Sequence, residues 1–215
     1  MAHQTILVLD FGSQFTQLIA RRLRELSVYS EILPFNTSLA TLRAKKPVGL
    51  ILSGGPKSVS ESDAPHCDPR VLELGVPTLG ICYGMQLMTH LLGGEVTSAP
   101  NREFGHAVVR VRDTPRLFRE LPTELRVWAS HGDFVAAAPR GFAVAATSTN
   151  APVAAMEAPE QGYYALLFHP EVAHTERGKE ILRNFAYDVC GCTGDWTIAS
   201  FIDESTARIR AQIGS

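Results

Sequence analysis

Residues 5–26 read TILVLDFGSQFTQLIARRLREL, and the change of period inside them sets the fold class. Thr5–Asp10 carries the unbroken apolar run Ile6–Leu9, the pattern of a strand buried on both faces. Over 13–26 the apolar residues Phe15, Leu18, Ile19, Leu23 and Leu26 fall on one helical face, with Ser13 placed to cap it. The unit then recurs. A strand at 29–33 precedes a short helix at 39–44, and a strand at 48–53 ends in Gly54-Gly55-Pro56. A helix at 70–74 leads to a strand at 76–81, and after Cys82 a helix over 84–92 closes on Gly93-Gly94. This alternation with short links predicts an α/β domain: a doubly wound, mostly parallel sheet with helices on both faces. Such sheets hold ligands at the carboxyl ends of their strands.

The middle of the chain changes character. Segments 108–112, 125–129, 142–147, 153–157 and 163–168 read as strands with no clear helix between them, a small antiparallel extension of the sheet. A last core helix is expected over 175–189. Beyond Cys190-Gly191-Cys192 one more helix carries a single stripe of Ile198, Phe201, Ile202, Ser205, Ile209 and Ile213, with Glu204 and Arg208 as an i,i+4 pair. The expected organisation is a domain over 1–190 and a linker with an amphipathic helix over 191–215. The stripe needs a cover: the core, a second copy in a homodimer, or a partner domain.

Composition limits the partners. Twenty Lys+Arg against 22 Asp+Glu give a formal charge of −2, with no basic excess to neutralise a phosphate backbone, so nucleic acid is excluded as a partner class. No apolar run approaches the ~20 residues of a membrane helix. The first residues run into a strand without a signal-peptide pattern, and four cysteines in 215 residues are too few for a disulfide scaffold. A reducing cytoplasm is the expected compartment. The Cys-x-Cys at 190–192 with remote Cys67 lacks zinc spacing, so no metal is expected. Neither G-x-G-x-x-G nor a Gly-Lys-Ser/Thr phosphate loop is present, so no nucleotide cofactor is expected in these residues.

Three motifs carry chemistry. In Gly80-Ile81-Cys82-Tyr83-Gly84, a cysteine sits between glycines at i−2 and i+2 where a buried strand meets a helix: the nucleophile elbow with Cys in place of Ser. The turn is tight enough to forbid neighbouring side chains, and the helix start stabilises an anion on the sulfur. In Phe168-His169-Pro170-Glu171, the proline biases His169 toward extended geometry, where residues i and i+2 point the same way. His169 can then take the thiol proton while Glu171 fixes its tautomer. At Ser53-Gly54-Gly55-Pro56, glycine N–H groups at a strand end can face a developing oxyanion together with the N–H of Tyr83, although a plain turn explains this tetrapeptide equally well. Ser130-His131-Gly132-Asp133 reads by itself as a polar strand end.

Together, Gly80-Ile81-Cys82-Tyr83-Gly84-Met85-Gln86, Gly54-Gly55-Pro56 and His169-Pro170-Glu171 resemble the class I glutamine amidotransferases of the Cys-His-Glu type, whose domain is flavodoxin-like. Asp10-Phe11-Gly12-Ser13-Gln14, Arg102-Glu103-Phe104-Gly105, Ser130-His131-Gly132-Asp133, the run 169–175 (HPEVAHT) and the tail through Trp196 to Arg210 narrow this to the amidotransferase domains of GMP synthases. The resemblance implies that Cys82 attacks the L-glutamine carboxamide to give a γ-glutamyl thioester and ammonia. It makes His169 the base and acid, Glu171 its orienting partner, and Gly55 and Tyr83 the oxyanion hole. It assigns glutamine binding to Gln86, Ser130, His131, Gly132 and Asp133. It implies an ATP-pyrophosphatase (synthetase) partner, carrying ATP and Mg for XMP amination, further along a longer polypeptide or on a separate chain. The competing readings are a stand-alone Cys-His-Glu peptidase or γ-glutamyl hydrolase, and a non-catalytic docking module.

Overall fold

Five parallel strands form one half of the sheet: β1 (Thr5–Asp10), β2 (Tyr29–Pro34), β3 (Gly49–Leu52), β4 (Thr78–Ile81) and β9 (Tyr163–Leu166). Their order, β2-β1-β3-β4-β9, reverses direction beside β1, as in doubly wound nucleotide-type sheets. The computed structural model describes residues 3–113 and 115–213. Ile6 to Leu9, Leu50 to Leu52, Leu79 and Ile81 are all fully buried, which explains runs without polar alternation. Helix α1 (Thr16–Glu25) packs against α4 (Gly178–Arg183), while α2 (Leu39–Ala44) packs against a 3-10 turn at Pro69–Leu74. Helix α3 (Tyr83–Leu91) lies across β3 and β4 and is buried almost throughout.

The other half is antiparallel: β8 (Ala155–Ala158), β7 (Ala143–Thr147), β5 (Glu95–Val111) and β6 (Glu124–Ala137) continue the sheet outward from β9. It is larger than the apolar runs suggest. β5 has 17 residues and β6 has 14, and they pair along most of their length. Buried apolar positions concentrate toward one end of each, at Val109 of β5 and at Leu125, Val127 and Ala129 of β6, so periodicity finds only 108–112 and 125–129. Residues 130–133, expected at a strand end, lie inside β6.

Three other expectations are corrected. Ser13 is not the cap of α1: Phe15 holds that position, and the Ser13 hydroxyl accepts the Phe15 N–H at 3.1 Å in the turn leaving β1. The helix expected at 70–74 is 3-10. The helix expected over 175–189 begins at Gly178, because Glu176 donates its N–H to the Arg126 carbonyl (2.9 Å) and Arg177 takes a left-handed φ of 56°. It continues as a π-helical turn at Asn184–Val189.

After that turn the chain runs back along the domain. Thr193 donates its N–H to Gln4 Oε1 at 2.8 Å, Trp196 donates its N–H to the Ser27 carbonyl at 3.2 Å, and Cys192 and Trp196 are buried. The final helix α5 (Ile198–Ile213) exposes Ile198, Ile202, Ile209 and Ile213. The side chains of Phe201, Glu204, Ser205 and Arg208, expected in its pattern, lie outside the described residues, as does that of Arg102. Among the described residues no helix is long and apolar enough to cross a membrane.

Candidate active site

β3, β4 and β9 are neighbours, so the residues just past their carboxyl ends converge: Ser53-Gly54-Gly55 after β3, Cys82 after β4 and His169 after β9. The middle strand delivers the thiol. Cys82 has φ 51° and ψ −106°, a strained conformation for a residue with a side chain. Surrounding contacts hold it there. Its N–H donates to the Leu166 carbonyl at 2.7 Å, and the Gly84 N–H donates to the Ser53 carbonyl at 3.0 Å. Both flanking glycines are required by space. A Cβ on Gly80 would stand 2.7 Å from the Gly84 carbonyl, and one on Gly84 would collide with the Leu52 carbonyl. The turn therefore presses α3 onto β3 with its N-terminus at the sulfur.

His169 and Glu171 are both buried, with Nδ1 of the ring 2.8 Å from Glu171 Oε1. Glu171 Oε2 has no hydrogen-bond partner among the described residues. The Cys82 sulfur lies close enough to the His169 ring to act on its charge. Burial pulls the imidazole pKa down, but the Glu171 carboxylate and the Cys82 sulfur outweigh it and hold the pKa up at about 10. Its frame comes from three elements. The His169 N–H donates to the Trp128 carbonyl (3.0 Å), the Thr175 hydroxyl donates to the His169 carbonyl (2.6 Å), and the edge of Phe15 meets the ring at 5.1 Å. A Cβ on Gly54 would reach 2.9 Å from the ring, which explains that glycine. Arg22 of α1 donates to the Glu171 carbonyl at 3.0 Å. Sequence reading assigns Phe15, Arg22, Trp128 and Thr175 no part in the site, yet they contact His169 and Glu171. Phe15 reads there as one more apolar position, Thr175 only as the end of the run 169–175, and Arg22 and Trp128 carry no local signal.

Beside the sulfur is a cleft of about 440 Å³ whose lining includes Gly55, Lys57, Glu61, Cys82, Gln86 and Phe104, together with Ser130, His131, Gly132 and Asp133. All the glutamine-binding candidates thus reach one place. The Cys82 thiol donates to the Ser130 carbonyl at 3.5 Å, and Gln86 Nε2 donates to the Asp133 carbonyl at 3.1 Å. The Tyr83 N–H is one of the orphan donors of the first turn of α3. Gly55 approaches so closely that a Cβ would stand 2.8 Å from the Phe11 carbonyl. His131 is the exception in orientation. Its ring is almost wholly buried, with Nε2 3.2 Å from Glu103 Oε2, so it meets the cleft mainly through its backbone. A hollow of about 460 Å³ between Arg21, Arg24, Trp196 and Ile198 holds none of these groups.

The glutamine amidotransferase class-I family model matches residues 7–189, a span that contains every residue of this cleft and triad. The chain belongs to the class I glutamine amidotransferase family. Over 214 residues it is 52% identical to a glutamine-hydrolysing GMP synthase of Geobacillus kaustophilus and 50% identical to one of Syntrophomonas wolfei. It spans 42% of the length of each of these relatives. Among solved structures it resembles a candidate GMP synthase component from Thermoplasma acidophilum: TM-score 0.76, 32% identity, 96% of this chain and 99% of that one covered. A glutamine amidotransferase of Thermotoga maritima, at 22% identity and TM-score 0.64 over 87% of this chain and 84% of that one, shares the amidotransferase fold.

Proposed function

We propose that this chain is the glutamine-hydrolysing part of a GMP synthase, releasing ammonia for the ATP-dependent amination of XMP. The observation that carries the reading is the buried His169–Glu171 pair beside a strained Cys82 at the mouth of a polar cleft. His169 takes the Cys82 thiol proton, the sulfur attacks the carboxamide carbon of L-glutamine, and the resulting oxyanion meets the N–H groups of Gly55 and Tyr83. The His169 imidazolium passes its proton to the departing nitrogen, so ammonia leaves and a γ-glutamyl thioester remains. The neutral ring then takes a proton from water, which attacks the thioester and frees glutamate and Cys82. Glu171 stabilises the imidazolium at each stage. Gln86 and the backbone of 130–133 hold the α-amino acid end, which a peptidase does not need.

The relatives' remaining length supports a synthetase partner, in the same polypeptide or as a separate chain, that would bind ATP, Mg and XMP. In this reading 1–190 is the amidotransferase domain and 191–215 leads toward that partner, whose surface covers the isoleucine stripe in preference to a second copy. All four cysteines are free, which supports a reducing, cytoplasmic compartment. The test is ammonia release from L-glutamine, alone and with a separately produced synthetase chain, ATP and XMP. Release that rises with the synthetase supports the reading. Full-speed release without it supports a stand-alone hydrolase, and no release in a preparation shown to bind glutamine supports a docking module.

A further inference from the structure

One wall of the cleft is a stretch of the sheet's edge strand where the pairing with its neighbour slips. Segment 130–133 of β6 carries the carbonyls that meet Cys82 and Gln86, so its position sets the width of the cleft. β6 is the last strand of the sheet; it pairs along its length with β5 and is otherwise met by single bridges at Ala129–Phe168 and Val135–Val153, one on either side of the segment. There the pairing slips: Asp133 pairs with Ser98 and His131 with Glu103, so four residues of β5 stand opposite Gly132 alone. Regular main-chain pairing is interrupted beside the wall that most needs fixing.

Glu103 is the first residue of β5 to resume pairing, and its carboxylate gathers three side chains. His131 Nε2 lies 3.2 Å from Oε2, Asn150 Nδ2 donates at 3.0 Å, and the Ser148 hydroxyl donates at 3.4 Å. Ser148 and Asn150 belong to the turn between β7 and β8, so the carboxylate ties the wall to a separate part of the sheet. The His131 side chain is 3% exposed, and its Nδ1 has no hydrogen-bond partner among the described residues. Without Glu103, both ring nitrogens would be buried and unmet, and the ring would have to move, taking the wall with it.

We propose that Glu103 is a positioning residue for glutamine capture, acting through His131 to fix segment 130–133 against the cleft. The proposal rests on the glutamine reading above. It separates two properties that a general loss of structure would change together: reactivity of the Cys82 sulfur, set by His169 and the elbow, and affinity for the amino acid, set by the wall.

The test measures alkylation of Cys82 by iodoacetamide in wild type, Glu103→Ala, Glu103→Gln and His131→Gln, with L-glutamine as protectant. In Glu103→Ala the alkylation rate without glutamine should stay near that of wild type. The glutamine concentration giving half-protection should rise roughly tenfold to hundredfold, the scale of a small misplacement of binding groups. Glu103→Gln, which still accepts a hydrogen bond, should recover most of the protection. His131→Gln, which keeps a donor near the Nε2 position, should do likewise. If Glu103→Ala does not fold, Glu103→Asp, with the carboxylate drawn back by one methylene, must show the same loss of protection. Unchanged protection in a folded Glu103→Ala or Glu103→Asp variant, or equal slowing of alkylation in all variants, overturns the proposal. A wild-type protein that glutamine does not protect overturns the glutamine reading itself.

Discussion

Cys82, His169 and Glu171 are legible in the sequence because each sits in a motif whose geometry follows from glycine or proline. Reactivity should distinguish the first of them from the other cysteines. Burial pushes the Cys67 and Cys192 thiols up to about 11 and the Cys190 thiol well above its ordinary range. Iodoacetamide at neutral pH should therefore label Cys82 first, checked by peptide mass spectrometry, and uniform labelling of all four would contradict this. His169→Ala should cost roughly 10²–10⁴-fold in ammonia release, since it loses both proton transfers. Glu171→Gln should lose less, and steady-state kinetics on both variants decide the order. The raised His169 pKa also predicts a pH dependence of stability. With an ordinary value of 6.5 in the unfolded chain and about 10 in the fold, its stabilisation is full below 6.5 and is lost as pH rises through 10. Urea midpoints measured across that window should fall in wild type and flatten in Glu171→Gln.

At the scale of elements, the elbow is a packing device as much as a chemical one. Gly84→Ala drives a methyl into the Leu52 carbonyl and pushes α3 off β3. We expect a loss of about 1–3 kcal/mol or more in stability, read from urea unfolding, with hydrolysis lost as well. The parallel strands and their helices could be read from sequence because burial on both faces and a 3.6-residue stripe are strong periodic signals. The β5–β6 ribbon could be read only in part, over 108–112 and 125–129. Its strands project polar and apolar residues to an open surface, as with exposed Phe104 and Val108, so neither period dominates. Two consequences follow for the site. The frame that holds His169 comes from Trp128 of β6, and the clasp at Glu103 comes from β5, and sequence alone places neither beside the triad. The turn before α1 shows a milder failure: Ser13 has the right chemistry for a cap, yet its hydroxyl serves the loop, and Phe15 is spent on His169.

For the whole molecule, the sheet sets Gly54-Gly55, Cys82 and His169 at the ends of three adjacent strands, and the antiparallel half walls the cleft beside them. Sequence order alone does not show that adjacency, because β9 lies far along the chain from β4. A synthetase partner loaded with its nucleotides should raise ammonia release roughly 5- to 150-fold, a coupling of ~1–3 kcal/mol, and a titration that stays flat would contradict that link. The central claim is that glutamine is opened by Cys82 through a covalent thioester. Its most direct measurement is rapid acid quenching during turnover of L-glutamine, followed by intact-protein and peptide mass spectrometry. The account predicts one γ-glutamyl group on the peptide bearing Cys82, absent from Cys82→Ala, which should also release no ammonia. Ammonia release by Cys82→Ala at the wild-type rate, or an adduct on any other residue, would contradict it.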